Sequence, residues 1–295
     1  MRFLSALLYY GVLIPISHLP FTVLYNMSNG LYWLLYKIIG YRKNVVLQNI
    51  ANSFPDKSAE ERLIIASDFY RHFCDLIVES LKIFSISREE VNQRMKVVNP
   101  AFIDRFYDQG KNVIMAGGHY NNWELFAMAI DGGIKHKAVA IYKPLTSQFF
   151  DKKMRESRSK YGLEMISTKK VVEEFKRENS PLRAIIFGID QSPGSARNSY
   201  WATFLNQDTA MLFGAEKYAK EYDFPVITAH INKVKRGHYT IEFTDCIEEP
   251  TKTNYGDITK RINLLLEKEI IKKPQYWLWS HMRWKHTRPV DLIQQ

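Results

Sequence analysis

The sequence predicts an α/β protein: a mostly parallel central sheet flanked by helices, an antiparallel C-terminal hairpin, and an N-terminal membrane-associated helical segment. Three observations lead there. From Val97 onward, short apolar runs alternate with amphipathic stretches, the pattern of strand–helix units. Near the end, Pro225–Val234 and His238–Ile247 flank Arg236-Gly237 and read as a hairpin. At the other end, Phe3 to Tyr36 contains no Asp, Glu, Lys or Arg.

That uncharged start is longer than the roughly 20 apolar residues a bilayer crossing needs. Pro15 and Pro20 interrupt it, however, and His18, Asn26, Ser28 and Asn29 add polarity. The piece before Pro15 is too short to span alone, and no small-residue cleavage site of a signal peptide follows. Two arrangements remain, a tilted and kinked span or a hairpin dipping into one leaflet; a buried helical pair is the soluble alternative. Tyr32, Trp33 and Tyr36 resemble an interfacial aromatic belt, with Lys37, Arg42 and Lys43 behind it on the cytoplasmic side. The expected division is a membrane anchor over 1–40 and a globular domain over 41–295.

Ser58 and Glu61, just after Pro55, form a capping box that opens a long helix. Its apolar residues, from Leu63 to Phe84, recur at helical spacing, and His72 and Glu79 on it read mainly as packing residues. The expected strands are Asn112–Ala116, Lys137–Tyr142, Glu164–Ser167, Arg183–Ile189 and Val226–Val234. The expected helices are Ala101–Gln109, Trp123–Asp131, Ser147–Tyr161, Lys170–Glu178, Met211–Glu221 and Gly256–Lys272. A hydrophobic content of 46% excludes a disordered chain. The excess of 41 Lys+Arg over 31 Asp+Glu gives a net charge of +10, which favours an anionic partner. Cys74 and Cys246 are far apart, which argues against a disulfide framework or zinc site and fits a reducing compartment.

The chemistry concentrates at Met115 to Glu124, MAGGHYNNWE. A strand run stops at Gly117 and Gly118, which allow a sharp bend and a close approach to a ligand. His119 follows, and an amphipathic helix begins three or four residues later, with Asn121 or Asn122 placed to cap it. His119 and Glu124 are five apart, so on one helix they would diverge by roughly 140°. They meet only if His119 lies on the loop and Glu124 in the first turn. Glu124 then takes the Nδ1 proton and leaves Nε2 as a base. The same residues also fit a surface histidine beside a helix whose first-turn glutamate serves the macrodipole. Arg155 and Arg158, three apart in SQFFDKKMRESRSKYG, share a helix face and suit a phosphate or carboxylate, or else form a solvated basic face. Asp190 ends an apolar strand in FGIDQSPG, where ligand sites of α/β sheets lie, or caps the following turn. The tail KKPQYWLWSHMRWKHTR interleaves aromatic and basic residues, a composition for single-stranded nucleic acid or a membrane interface. Nothing matches a Walker loop, a dinucleotide fingerprint or a recognition helix, so no nucleic-acid partner is expected.

Several blocks together resemble the bacterial lipid A biosynthesis (late) acyltransferase family, within the lysophospholipid acyltransferase-like group. They are the uncharged start, YRKNVVLQNIANSFP, VESLKIFSIS, GGHYNNWE, YKPLTSQFFDKKMRESRSKYG, FGIDQSP and PQYWLWSHMRWKHTR, in order over nearly the whole chain. The resemblance implies a catalytic dyad of His119 and Glu124, with Arg155, Arg158, Asp190, Gly117 and Gly118 at the substrate site. It implies an acyltransferase domain over 41–295, direct transfer without a metal or cofactor, an acyl carrier protein thioester or acyl-CoA donor, and an anionic lipid acceptor. It also implies the cytoplasmic face of the inner membrane. One departure is local: where the family often has Phe-Gly after the histidine, this chain has Tyr120-Asn121.

Overall fold

The computed structural model describes residues 2–177, 181–197 and 199–290. In chain order the strands are Met95–Val97 (β1), Val113–Gly117 (β2), Lys137–Tyr142 (β3), Glu164–Ser167 (β4), Arg183–Gly188 (β5), Tyr200–Phe204 (β6), Gln207–Met211 (β7), Val226–Lys235 (β8) and His238–Ile247 (β9). Seven of them form one sheet in the order β1-β9-β8-β2-β5-β3-β4, and β6 with β7 makes a separate two-stranded sheet. Among the described residues of the large sheet only the β8–β9 pairing is antiparallel. The expected architecture, a mostly parallel sheet with a C-terminal hairpin, is the one observed.

The centre of the sheet follows from sequence. β2 reads VIMAG, and its first four residues are buried, because β5 and β8 pair on either edge and helices cover both faces. A continuous apolar run suits such a doubly covered strand. One face packs Ile114, Ala116 and Ile185 with Leu266 of the Asp257–Lys272 helix; the other packs Met115 and Ala184 with Leu125 and Met128 of the Trp123–Ala129 helix. β2 and β5 are parallel with Gly117 opposite Gly188, and Ile189 N donates to Gly117 O at 3.0 Å. Residues two beyond each strand end therefore emerge side by side, and those residues are His119 and Asp190.

Most element bounds agree with expectation to within two residues, and the Ser58–Glu61 capping box is closed in both directions at 3.2 and 2.7 Å. The helix expected from Met211 begins instead at Gly214, because Gln207–Met211 is β7. Its turn with β6 is Leu205-Asn206, both at positive φ (49° and 62°), a two-residue hairpin turn without the usual glycine. The helix expected over Lys170–Glu178 is Val171–Phe175; residue 178 lies outside the described residues.

The N-terminal segment is two helical arms, Phe3–His18 and Phe21–Ile39, bent by 117° at the break around Pro20. Among the described residues no single helix is long and apolar enough to cross a membrane; the bent pair passes that test only together. Phe3, Leu7, Trp33 and Ile39 are 82%, 58%, 61% and 59% exposed, an unusual outward display of large apolar side chains. The expected aromatic belt is only partly outward. Tyr36 is buried and stacked on Tyr70 with ring centres 4.9 Å apart, and Tyr32 OH bonds Ser67 Oγ at 2.9 Å. The second arm is tied down by polar contacts, Ser28 Oγ donating to Asp75 at 2.7 Å and Tyr25 OH to Glu79 at 2.9 Å.

Candidate active site

The loop after β2 keeps its glycines for reasons of space. A Cβ on Gly118 would lie 2.7 Å from Leu266 Cδ2 and 3.2 Å from Asp190 Oδ2, and one on Gly117 would lie 3.2 Å from Ala229 O. The sequence suggested that these glycines admit a ligand; in the structure the space is taken by the protein's own helix, carboxylate and strand. Asn121 sits at φ 56°, the left-handed region that glycine favours and asparagine tolerates best among the rest. Its Nδ2 anchors the bend to Ile231 O at 2.6 Å. The asparagine departure thus preserves the backbone turn. Asn122 is the helix cap, its Oδ1 accepting from Leu125 N at 2.8 Å. Its Nδ2 donates to Glu79 at 2.6 Å, and the OH groups of Tyr25 and Tyr239 also reach that carboxylate. Glu79 therefore does more than pack: fully buried, it joins the N-terminal arm and the hairpin to the cap that follows the His119 loop. His72 points elsewhere, toward Lys233.

His119 lies on the loop as expected, but its partner is different. Its Nδ1 donates to Asp190 Oδ1 at 2.7 Å, and its backbone N–H donates to Asp190 Oδ2 at 2.7 Å. Glu124, the acid expected there, makes no hydrogen bond with the imidazole among the described residues. Its two oxygens accept from Arg158 Nε at 2.8 Å and Nη2 at 2.6 Å, a bidentate pair, and Trp123 Nε1 adds 3.2 Å to Oε1. The reason is register. The parallel β2–β5 pairing delivers Asp190 beside the ring, whereas Glu124 points from the helix toward the facing Gln148–Arg158 helix. Asp190 is thus a dyad member, not a turn cap, and Arg158 is an ion-pair partner rather than a free fork.

The electrostatics follow from this geometry. Burial favours neutral His119, but the Asp190 carboxylate outweighs it and holds the imidazole above its ordinary value, with Glu124 adding to the rise and Arg158 opposing it. Burial would raise Asp190, yet the adjacent His119 and the donated N–H groups bring its carboxyl down to about 2. With the proton on Nδ1, Nε2 carries the lone pair and faces outward, where Gln191 Nε2 caps it at 3.2 Å. Trp123 stands edge-on to the ring at 5.2 Å.

Arg155 and Arg158 do line one cleft, of about 320 Å³, with Tyr142, Lys143, Leu145, Phe150, Asp151 and Met154. Arg155 is partly exposed and bridges Asp151, Nε to Oδ2 at 3.2 Å. The cleft therefore offers one guanidinium, held at Nε by Asp151, beside Leu145, Phe150 and Met154. Among the described residues no group of three or more His, Cys, Asp or Glu side chains is placed to hold a metal ion.

Gln191 and Trp277 were not foreseen as site residues. Gln191 had a signal, standing next to Asp190 in FGIDQSP. Trp277 had none, because the tail's mixed composition reads as a surface. The structure overturns that reading: Trp277 and Trp279 are 2% and 0% exposed and pack with Phe204, Phe54 and Trp284.

Comparison with known proteins places the chain in a family. A model of the bacterial lipid A biosynthesis acyltransferase family matches residues 1–286. A lipid A biosynthesis palmitoleoyltransferase of Escherichia coli is 25% identical over 95% of this chain and 90% of its own length. A lipid A biosynthesis acyltransferase of Haemophilus influenzae is 23% identical over 92% of this chain and 86% of its own length. A crystal structure of the 1-acyl-sn-glycerophosphate acyltransferase of Thermotoga maritima aligns with 94% of this chain and 100% of its own, at 10% identity and a TM-score of 0.38, too distant to inform the site. The sheet whose edge brings His119 to Asp190 is therefore that of an acyltransferase, and the chain belongs to the bacterial lipid A biosynthesis acyltransferase family.

Proposed function

We propose that the enzyme transfers a fatty acyl chain from an acyl carrier protein thioester to a hydroxyl of a lipid A precursor at the cytoplasmic face of the inner membrane. The observation that carries this reading is the His119 imidazole, held at Nδ1 by Asp190 and turned outward at Nε2. An alcohol is a poor nucleophile near neutral pH and needs a positioned base. The acceptor hydroxyl replaces the Gln191 amide at Nε2 and gives up its proton as its oxygen attacks the thioester carbonyl. The tetrahedral intermediate expels the thiolate as the C–S bond breaks, and the imidazolium returns the proton to sulfur. Asp190 stabilises the imidazolium, as the acid of a catalytic triad does. Glu124 acts at one remove, fixing Arg158 as a cation beside the site. The net charge of +10 suits an acidic carrier protein as donor; acyl-CoA is the alternative thioester.

The exposed apolar arm over 1–40 serves on this reading as a membrane anchor that lies in one leaflet. The pairing of Arg158 with Glu124 leaves the cleft without the two-arginine clamp expected for a phosphorylated acceptor, which favours a second reading of the acceptor. In that reading the acyl chain goes to another membrane lipid, an aminolipid or a lysophospholipid. Mass spectrometry of lipids from cells with and without the protein separates the two. A lipid A species lacking one acyl chain supports the first, and an unchanged lipid A with an altered aminolipid or phospholipid pool supports the second.

Four outcomes are expected. His119→Ala loses about 10²- to 10⁴-fold in rate while remaining folded. Because Asp190 raises the His119 value, the base is neutral only above the ordinary histidine range of about 6.5, and the acid limb of kcat/KM lies there. Asp190→Asn leaves burial dominant, so the residual activity has its acid limb moved to lower pH; an unmoved limb contradicts the pairing. Arg155→Ala raises KM for a phosphorylated acceptor more than for the thioester donor, and Arg155→Lys rescues it only in part; initial rates varying each substrate decide this. Phe3→Glu with Leu7→Glu releases the protein from anionic lipid vesicles in a flotation assay without lowering its Tm, whereas undiminished flotation places the anchor elsewhere.

A further inference from the structure

We propose that the tryptophan-rich tail, Tyr276 to His286, is a clamp for the catalytic loops, and that Trp277 is the positioning residue that fixes Asp190 against His119. This rests on the acyl-transfer reading for its kinetic consequences, though not for its geometry. Trp277 touches both sides of the dyad. Its backbone pairs antiparallel with Tyr120, the residue after His119, and Tyr276 O accepts from Asn121 N at 3.0 Å. Its indole Nε1 donates to Asp190 Oδ2 at 2.9 Å. That oxygen also accepts the His119 backbone N–H, so Oδ2 is occupied from two directions and Oδ1 is left for the imidazole.

The grip continues along the loop that carries Asp190 and Gln191. His281 Nε2 accepts from Ser192 N at 3.1 Å, and His286 Nε2 donates to Pro193 O at 2.8 Å. The tail is in turn held from behind. Asn49 Nδ2 donates to Trp279 O and His281 O at 2.9 and 3.1 Å, and Arg42 Nη1 donates to Ser280 O at 2.9 Å. On the other side Arg283 Nη1 donates to Ala210 O at 2.7 Å and Trp284 Nε1 to Thr209 Oγ1 at 2.8 Å. A carboxylate 3% exposed needs its charge matched by fixed donors, and the indole supplies one that cannot swing away from its packed ring.

The test removes the N–H while keeping the ring's bulk. Trp277→Phe does this, and Trp277→benzothienylalanine, an isostere without the donor, does it should the phenylalanine variant fail to fold. Losing the donor frees Asp190 from its fixed pose and weakens its hold on the imidazolium. The ¹⁵N-imidazole titration of His119, read in the ligand-free full chain, should therefore move down by about half a pH unit or more. In turnover, kcat should fall about tenfold with both KM values unchanged. A lowered Tm with an unmoved titration makes Trp277 a packing residue only and overturns the proposal. The titration needs no substrate, so it tests the clamp even should the chain transfer no acyl group; absence of transfer by the wild-type protein would instead sink the functional reading.

Discussion

The arrangement depends on one buried carboxylate. Asp190 holds a negative charge at the C-terminal edge of the sheet with three N–H groups on its two oxygens: the His119 ring, the His119 backbone and the Trp277 indole. Burial alone would push its carboxyl upward. The donors reverse that and bring its carboxyl down to about 2, so the pair rests as carboxylate and a readily protonated imidazole. Each donor requires a larger feature to stay in place. The ring needs the β2–β5 register that sets Gly117 opposite Gly188, the backbone N–H needs Gly118 to have no side chain, and the indole needs the tail to be core.

Much of this was legible in the sequence because it is local. The glycines and asparagines around His119 break the chain between strand and helix, and the structure has that break, with Asn122 as cap. The strands Lys137–Tyr142 and Glu164–Ser167 have the bounds that their apolar runs predict. What failed was pairing. Spacing within MAGGHYNNWE can propose only Glu124 for the imidazole, because it sees nearby residues, whereas Asp190 arrives 71 residues later through strand register. The tail misled for a related reason. Trp, Lys, Arg and His in alternation describe a wet interface by composition, and only the neighbours Phe54, Phe204 and Met211 make its aromatics a core. The Leu205-Asn206 turn escaped notice because it forms a positive-φ hairpin without the Asn-Gly signal.

The same corrections sharpen the functional reading. Glu124 and Arg158 neutralise one another, which ties the acid expected to orient His119 to an expected substrate ligand, and the cleft keeps Arg155 and Lys143 in its lining. The buried Glu79 links the N-terminal arm to the cap of the helix that carries Glu124, so the apolar surface and the reacting centre are parts of one polar framework.

The central claim is that Asp190, and not Glu124, shares a proton with His119. It is tested most directly by the low-field proton spectrum of the ligand-free protein. An imidazole N–H donated to a carboxylate in a buried site gives a resonance downfield of the amide region. The account predicts that this signal persists in Glu124→Gln and disappears in Asp190→Asn. Loss of the signal in Glu124→Gln with retention in Asp190→Asn would contradict it.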